Sequence, residues 1–156
     1  MNYQFLDTPI GTLRLVSKEE MLSKVEFEGR HQIQNDEVLC SDSALQRASK
    51  QLQEYFSGQR ETFDLDLNPQ GTDFQQQVWS SLREIPFGEL RSYSDIARGI
   101  NRPKAVRAVG AANGRNPIPI IVPCHRVIGS NGSLTGFAGG LEMKEQLLKL
   151  EGALLI

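Results

Sequence analysis

Residues 116–127, reading Asn-Pro-Ile-Pro-Ile-Ile-Val-Pro-Cys-His-Arg-Val, hold three of the seven prolines in the chain. Each proline fixes φ near −65° and removes a backbone donor, so neither an uninterrupted helix nor a central strand can pass through. Pro123 also biases Val122 away from helix. Ile120, Ile121 and Val122 are apolar and β-branched, which predicts an extended, buried run between Pro119 and Pro123. The same twelve residues contain one of the two cysteines and one of the two histidines. A proline-stiffened segment that ends in Cys-His-Arg delivers Cys124 to a fixed place. Packing alone does not demand that combination.

The remaining chain is long enough, at 156 residues, to bury a core in one domain or in two small ones. Residues 1–34 read as short antiparallel strands. Leu13 and Leu15 alternate after Gly11, a turn falls at Lys18-Glu19-Glu20, and Val25 and Phe27 alternate with Lys24 and Glu26. Asp42 or Ser43 caps a helix with Leu45, Ala48, Leu52, Tyr55 and Phe56 on one face, ending at Gly58. Phe63, Leu65 and Leu67 alternate as a further strand. The turn cluster Asn68-Pro69-Gln70-Gly71 divides the chain into a sheet-plus-helix support domain, residues 1–68, and a mainly helical domain, residues 71–156. The fold class is thus α/β in the α+β sense.

In the second part, Thr72-Asp73-Phe74-Gln75 is a capping box before the stripe Phe74, Val78, Trp79 and Leu82. Ser92-Tyr93-Ser94-Asp95 opens a short helix closed by Gly99, and Pro103 stands at the first position of another that breaks at Asn113-Gly114. Helix, tight turn and helix give a helix-turn-helix outline. The second helix is slim, with Ala105, Ala108, Gly110, Ala111 and Ala112, and its long side chains are Arg102, Lys104 and Arg107. Such a helix suits entry into a nucleic-acid groove; close packing inside the protein is the alternative. The loop 136–140 reads as flexible, and the final helix turns Met143, Leu147 and Leu150 inward.

Charge follows the same division. Residues 91–126 carry seven basic side chains, Arg115 and Arg126 among them, and one acid, whereas the whole chain has a net charge of −2. One anion-facing surface explains that asymmetry, and a solvated face is the other account of it. No apolar run reaches the roughly 20 residues that span a bilayer. Residues 1–5 lack the pattern of a signal peptide, and two cysteines form no disulfide framework. These features predict a cytoplasmic protein without a membrane partner.

The chemistry-bearing candidates centre on Cys124. A thiolate is the reactive form, and the neighbouring His125 and Arg126 are of the type that lower a thiol pKa. Adjacent residues in extended chain point oppositely, so a water could bridge Cys124 and His125. Glu151 lies in the last turn of the final helix, where the macrodipole disfavours an acid; it is either solvated or the orienting third member of a Cys-His-acid relay. Tyr93 is either an amphipathic core residue or a phenol donor facing a ligand. Cys40 reads as an ordinary small residue. The adjacency of Cys124 and His125 lacks chelate spacing, and there is no C-x-x-C, P-loop or G-x-G-x-x-G, so neither a metal nor a cofactor is indicated.

Pro-Cys-His-Arg-Val at 123–127, preceded by Asn116-Pro-Ile-Pro-Ile, with Arg107-Ala-Val-Gly upstream and Glu151-Gly152 after the last helix, resembles the 6-O-alkylguanine-DNA alkyltransferases, also called methylated-DNA–protein-cysteine methyltransferases. The likeness runs from about Gly71 to Glu151. It implies a ribonuclease-H-like support domain followed by a winged helix-turn-helix domain. It also implies single-turnover transfer of an alkyl group from 6-O-alkylguanine, with 4-O-alkylthymine as a further substrate, in double-stranded DNA approached by a monomer through the minor groove. By the same resemblance, Arg107 fills the stack vacated by a flipped base, and Arg102, Lys104, Ala105, Ala108 and Arg115 belong to the DNA-facing surface. Cys124 is the nucleophile, His125 a base acting through water, Glu151 its orienter, Asn116 a brace of the turn, and Tyr93 a donor to the guanine ring. Backbone groups at Cys124, Val127 and Ala138 read base edges, while Phe137 and Pro119 wall the pocket; many relatives have tyrosine in place of Phe137. Some relatives carry zinc in the N-terminal part, but with only His31 and Cys40 there, none is expected. Rival readings are a non-enzymatic alkyltransferase-like lesion-binding protein, which would lack Cys124, and a cysteine hydrolase.

Overall fold

A computed structural model describes residues 1–154. The chain falls into two compact units, Met1–Gln70 and Gly71–Ile156. In the first, β1 (Asn2–Thr8), β2 (Gly11–Lys18) and β3 (Met21–Glu26) form an antiparallel meander, and β4 (Val38–Leu39) adds in parallel to β1, giving the order β3-β2-β1-β4. Glu19 and Glu20 adopt positive φ in the turn between β2 and β3. Helix α1 (Ser43–Phe56) packs on the sheet. Its N-cap is Asp42, whose carboxylate accepts from the backbone N–H of Leu45 at 2.9 Å. Leu45, Ala48, Leu52 and Tyr55 are buried together with Leu13, Leu15, Leu22 and Val25 of the sheet.

Two features depart from the alternating pattern. Arg14, which strict alternation would leave in solvent, is fully buried and paired with Glu26 and Glu37, and its Nη2 also donates to the carbonyl of Gln32. The expected strand through Phe63, Leu65 and Leu67 is reduced to a single bridge between Leu22 and Leu67. The cause is Gln51 on α1. Its amide accepts from the N–H of Asp64 at 2.9 Å and donates to the carbonyl of Asp64 at 3.0 Å, taking the bonds a ladder would use.

The second unit packs α2 (Asp73–Leu82), α3 (Tyr93–Gly99) and α4 (Val106–Gly114) against one another and closes with α5 (Leu141–Leu150). Both halves of the Thr72–Gln75 capping box form, as do both halves of the Ser92–Asp95 box. Trp79 of α2 donates its indole N–H to the carbonyl of Ala112 at 2.8 Å, fixing α2 to α4. The helix after the turn begins at Val106, three residues later than proline placement predicts. Asn101 takes a left-handed φ of 59°, and Arg102 to Ala105 close a turn of their own, so Pro103 belongs to the connection. A parallel pair, β5 (Arg91–Ser92) with β6 (Val127–Ile128), matches Arg91 with Val127 and Ser92 with Ile128. Among the described residues, no helix is long and apolar enough to cross a membrane.

Candidate active site

The proline-rich segment is buried but not extended. Pro119 and Val122 bridge across a turn at Ile120 and Ile121, with Ile120 at a φ of 74°. That conformation is strained for a β-branched side chain. Asn116 holds it in place. Its side-chain amide donates to the carbonyl of Val122 at 2.8 Å, and its oxygen accepts from the N–H of Ile118 at 3.0 Å. The N–H of Val122 reaches the carbonyl of Ile118 at 2.9 Å. Inside a protein these backbone groups require partners, and one asparagine serves two of them. Extended chain was expected because β-branched residues favour it; the turn wins because Asn116 and Ile118 bind back onto Val122.

From Pro123 the chain enters a single 3-10 turn, Cys124–Arg126. All three side chains are buried. His125 places Nε2 2.7 Å from a Glu151 oxygen, while Arg126 donates to the same carboxylate through Nε at 2.8 Å and Nη2 at 3.0 Å. Arg126 Nη1 donates to the carbonyl of Ile85 at 2.6 Å. Glu151, the C-cap of α5, is therefore neither solvated nor unpaired with charge. Its unfavourable place on the macrodipole is offset by three charge-assisted contacts. A carboxylate on Nε2 makes that nitrogen the N–H of a neutral imidazole, leaving Nδ1 as the acceptor. Nδ1 is buried without a protein partner. Burial, opposed by Glu151, holds the His125 pKa below its ordinary value of 6.5.

The thiol behaves differently from expectation. Arg126 turns toward Glu151, and burial pushes the Cys124 pKa up to about 11, against the smaller lowering effects of the Asn116 side chain and the Lys144 ammonium. At neutral pH Cys124 is therefore a thiol.

Lys144 and Asn113 take part without having been foreseen. Lys144 is fully buried on α5, its Nζ donating to the carbonyls of Val127 at 2.6 Å and Thr135 at 2.8 Å, and burial lowers its pKa to about 8. The buried face of α5 is Lys144, Leu147 and Leu148, continued by Glu151, whereas Leu150 is exposed and Met143 half-buried. The signal was present as a stripe at i, i+3, i+4 and i+7, with a charge at each end. Asn113 on α4 donates to the carbonyl of Cys124 at 3.4 Å, a link from the helix to the turn that carries the thiol.

Tyr93 follows β5, and Cys124 lies three residues before β6, so the parallel pair joins the strands next to each of them. Val127 and Pro119 are buried, Phe137 is half-buried and Ala138 exposed. Arg102, Lys104, Arg107, Ala108 and Arg115 are exposed and Ala105 half-buried, so the four basic side chains of this stretch are open to solvent. Arg91, Arg98 and Arg126 are instead paired with Glu89, Asp95 and Glu151. Among the described residues, no group of three or more His, Cys, Asp or Glu side chains could hold a metal ion.

Residues 73–153 match the family model described as the 6-O-methylguanine DNA methyltransferase DNA-binding domain, and residues 1–69 match the ribonuclease-like domain of the same family. A methylated-DNA–protein-cysteine methyltransferase of Methanosarcina acetivorans is 52% identical over 98% of this chain and 99% of that protein. The constitutive one of Bacillus subtilis is 47% identical over 96% and 94%. The crystal structure of Mycobacterium tuberculosis OGT in complex with DNA superposes with a TM-score of 0.90 at 46% identity, covering 98% of this chain and 94% of that one.

Proposed function

The chain belongs to the 6-O-methylguanine DNA methyltransferase family, and on that basis we propose that Cys124 receives the alkyl group in a direct-reversal DNA repair reaction. A bond forms between Sγ and the alkyl carbon, the bond from that carbon to guanine O6 breaks, the thiol loses its proton and the base regains an N–H. A thioether has no ready leaving group, so each molecule acts once. The observation that carries this reading is the buried cluster in which Glu151, itself bonded by Arg126, holds His125 next to a buried thiol in the chain.

With Nε2 committed to Glu151, His125 takes the thiol proton at Nδ1 through one water, as a general base can. A thiol with a pKa near 11 needs that help. Asn116 braces the turn that sets Cys124, and Tyr93 donates to the guanine ring as negative charge builds on the leaving base. Backbone groups at Cys124, Val127 and Ala138 read its edges between Phe137 and Pro119.

The target atom lies inside a duplex, so the base must leave the stack. Arg107, exposed on the outer face of α4, fills the space left behind. Arg102, Lys104 and Arg115 bind phosphates, while the small side chains of Ala105 and Ala108 let α4 approach the minor groove closely. All these groups come from one chain, which suits a monomer, and retained thiols suit the cytoplasm. The ribonuclease-like residues 1–68 serve as support and residues 71–156 carry the reaction. Guanine and thymine lesions alkylated on oxygen are both substrates.

Intact-mass measurement after incubation with a duplex holding one 6-O-methylguanine tests the reading. One added methyl group on Cys124, a stop at one equivalent, and no transfer by Cys124→Ala are expected. Repeated turnover, or an unmodified Cys124 after the lesion has gone, overturns it. Lesion binding without transfer would instead assign the chain to non-enzymatic recognition.

A further inference from the structure

The segment after β6 is tied to α3 by two pairs of hydroxyl groups. Ser94 Oγ lies 3.3 Å from Ser130 Oγ, and Thr135 Oγ1 donates to the phenol oxygen of Tyr93 at 3.0 Å. Thr135 is itself anchored from below, because Lys144 Nζ donates to its carbonyl at 2.8 Å and to that of Val127 at 2.6 Å. A charged donor fixing two carbonyls, one of them fully buried with its partner, is a stronger restraint than a loop makes alone. The backbone at Thr135 is thereby held relative to the strand that follows Cys124.

From this chain of contacts we propose that Thr135 is a positioning residue for the leaving-base half of the reaction, acting through Tyr93. The inference rests on the reading of Tyr93 as donor to the guanine ring. A phenol has one proton and an oxygen that accepts. With Thr135 donating to that oxygen, the phenol proton points away from Thr135 and is free for the ring nitrogen. The two bonds then polarise one another, so the contact to the base strengthens as negative charge develops. Thr135 also restrains the phenol's direction, since its hydroxyl donates to the oxygen of the half-buried Tyr93 at 3.0 Å.

The test compares single-turnover rates on duplexes holding 6-O-methylguanine or its 3-deaza analogue, in which a C–H replaces the ring nitrogen that receives the phenol proton. Thr135→Val keeps the shape and removes the donor; Thr135→Ser keeps the donor. Loss of one neutral hydrogen bond predicts a roughly three- to tenfold slower rate for Thr135→Val on 6-O-methylguanine. No change on the 3-deaza duplex, recovery by Thr135→Ser, and no further slowing when Thr135→Val is added to Tyr93→Phe are also expected. Thr135→Val equal to the parent on 6-O-methylguanine, or slower by the same factor on both duplexes, overturns the proposal while Tyr93→Phe still shows the selective loss. If Tyr93→Phe shows no selective loss, the donor reading of Tyr93 has failed instead. Thermal midpoints of all variants, expected to agree with the parent, separate a folding defect from either result.

Discussion

Replacing Glu151 with glutamine keeps the side chain's shape and removes its charge, in a place where nothing else can supply it. The carboxylate receives two bonds from Arg126 and one from His125, and all three side chains are buried. An amide nitrogen in the Oε2 position would face both Arg126 Nη2 and the N–H of His125. Placed at Oε1, it would face Arg126 Nε alone, so that orientation is favoured. The guanidinium is still left buried without a counter-charge, and breaking a buried pair in this way costs about 3–5 kcal/mol. For a unit of this size each kcal/mol moves the melting midpoint by roughly 4–8 °C, so a fall of about 12 °C or more is expected. Arg126→Met alone should cost a similar amount by stranding the carboxylate. The double variant should cost at least about 2 kcal/mol less than the sum of the singles, because no charge is then left behind. The single tryptophan, Trp79, is buried in the same unit, so its fluorescence reports that unit in denaturant titrations of the whole chain. A Glu151→Gln loss below about 1 kcal/mol, or simple additivity of the two substitutions, would refute the reasoning.

Acid should act on this site through His125. Burial holds its folded pKa below 6.5, so the unfolded chain takes up a proton that the folded chain refuses. The stability this provides is present above pH 6.5 and falls as the pH drops from there toward the lower folded value; His125→Gln, followed by denaturant titration against pH, should flatten that part of the slope. The two thiols should differ sharply toward iodoacetamide. Exposed Cys40 reacts first, while Cys124 reacts slowly at pH 7 and about tenfold faster per pH unit toward 11, as peptide mapping would read; equal rates at pH 7 would contradict the burial of Cys124.

Much was fixed by local chemistry and could be read without coordinates. Capping boxes at Thr72 and Ser92 depend on residues three apart, and both form. Asp42 caps α1, and the alternation of Leu13 and Leu15 gives a strand with those side chains buried. The Cys-His-Arg segment announced chemistry because prolines and reactive side chains rarely coincide without cause. Elsewhere a local preference was outvoted by a distant partner. Ile120 was expected in extended chain, yet Asn116 and Ile118 fold the segment back into a turn. The extended run at 63–67 lost its ladder to the Gln51 side chain.

The buried face of α5 marks the boundary most clearly. Reading for apolar residues selected Met143, Leu147 and Leu150, because burial of an unpaired charge is costly and a pattern in sequence cannot show a partner. The folded chain buries Lys144 and Glu151 with Leu147 and Leu148, since the carbonyls of Val127 and Thr135, and the side chains of His125 and Arg126, come from other segments to meet them. Sequence by itself determined the strands at Leu13 and Val25, the helices opened by Asp42, Thr72 and Ser92, and the cysteine on which the proposed reaction turns. Only tertiary structure decided which charges could be buried, and therefore that Arg126 serves Glu151 while burial leaves Cys124 a thiol, because that depends on groups 9 to 26 residues away along the chain.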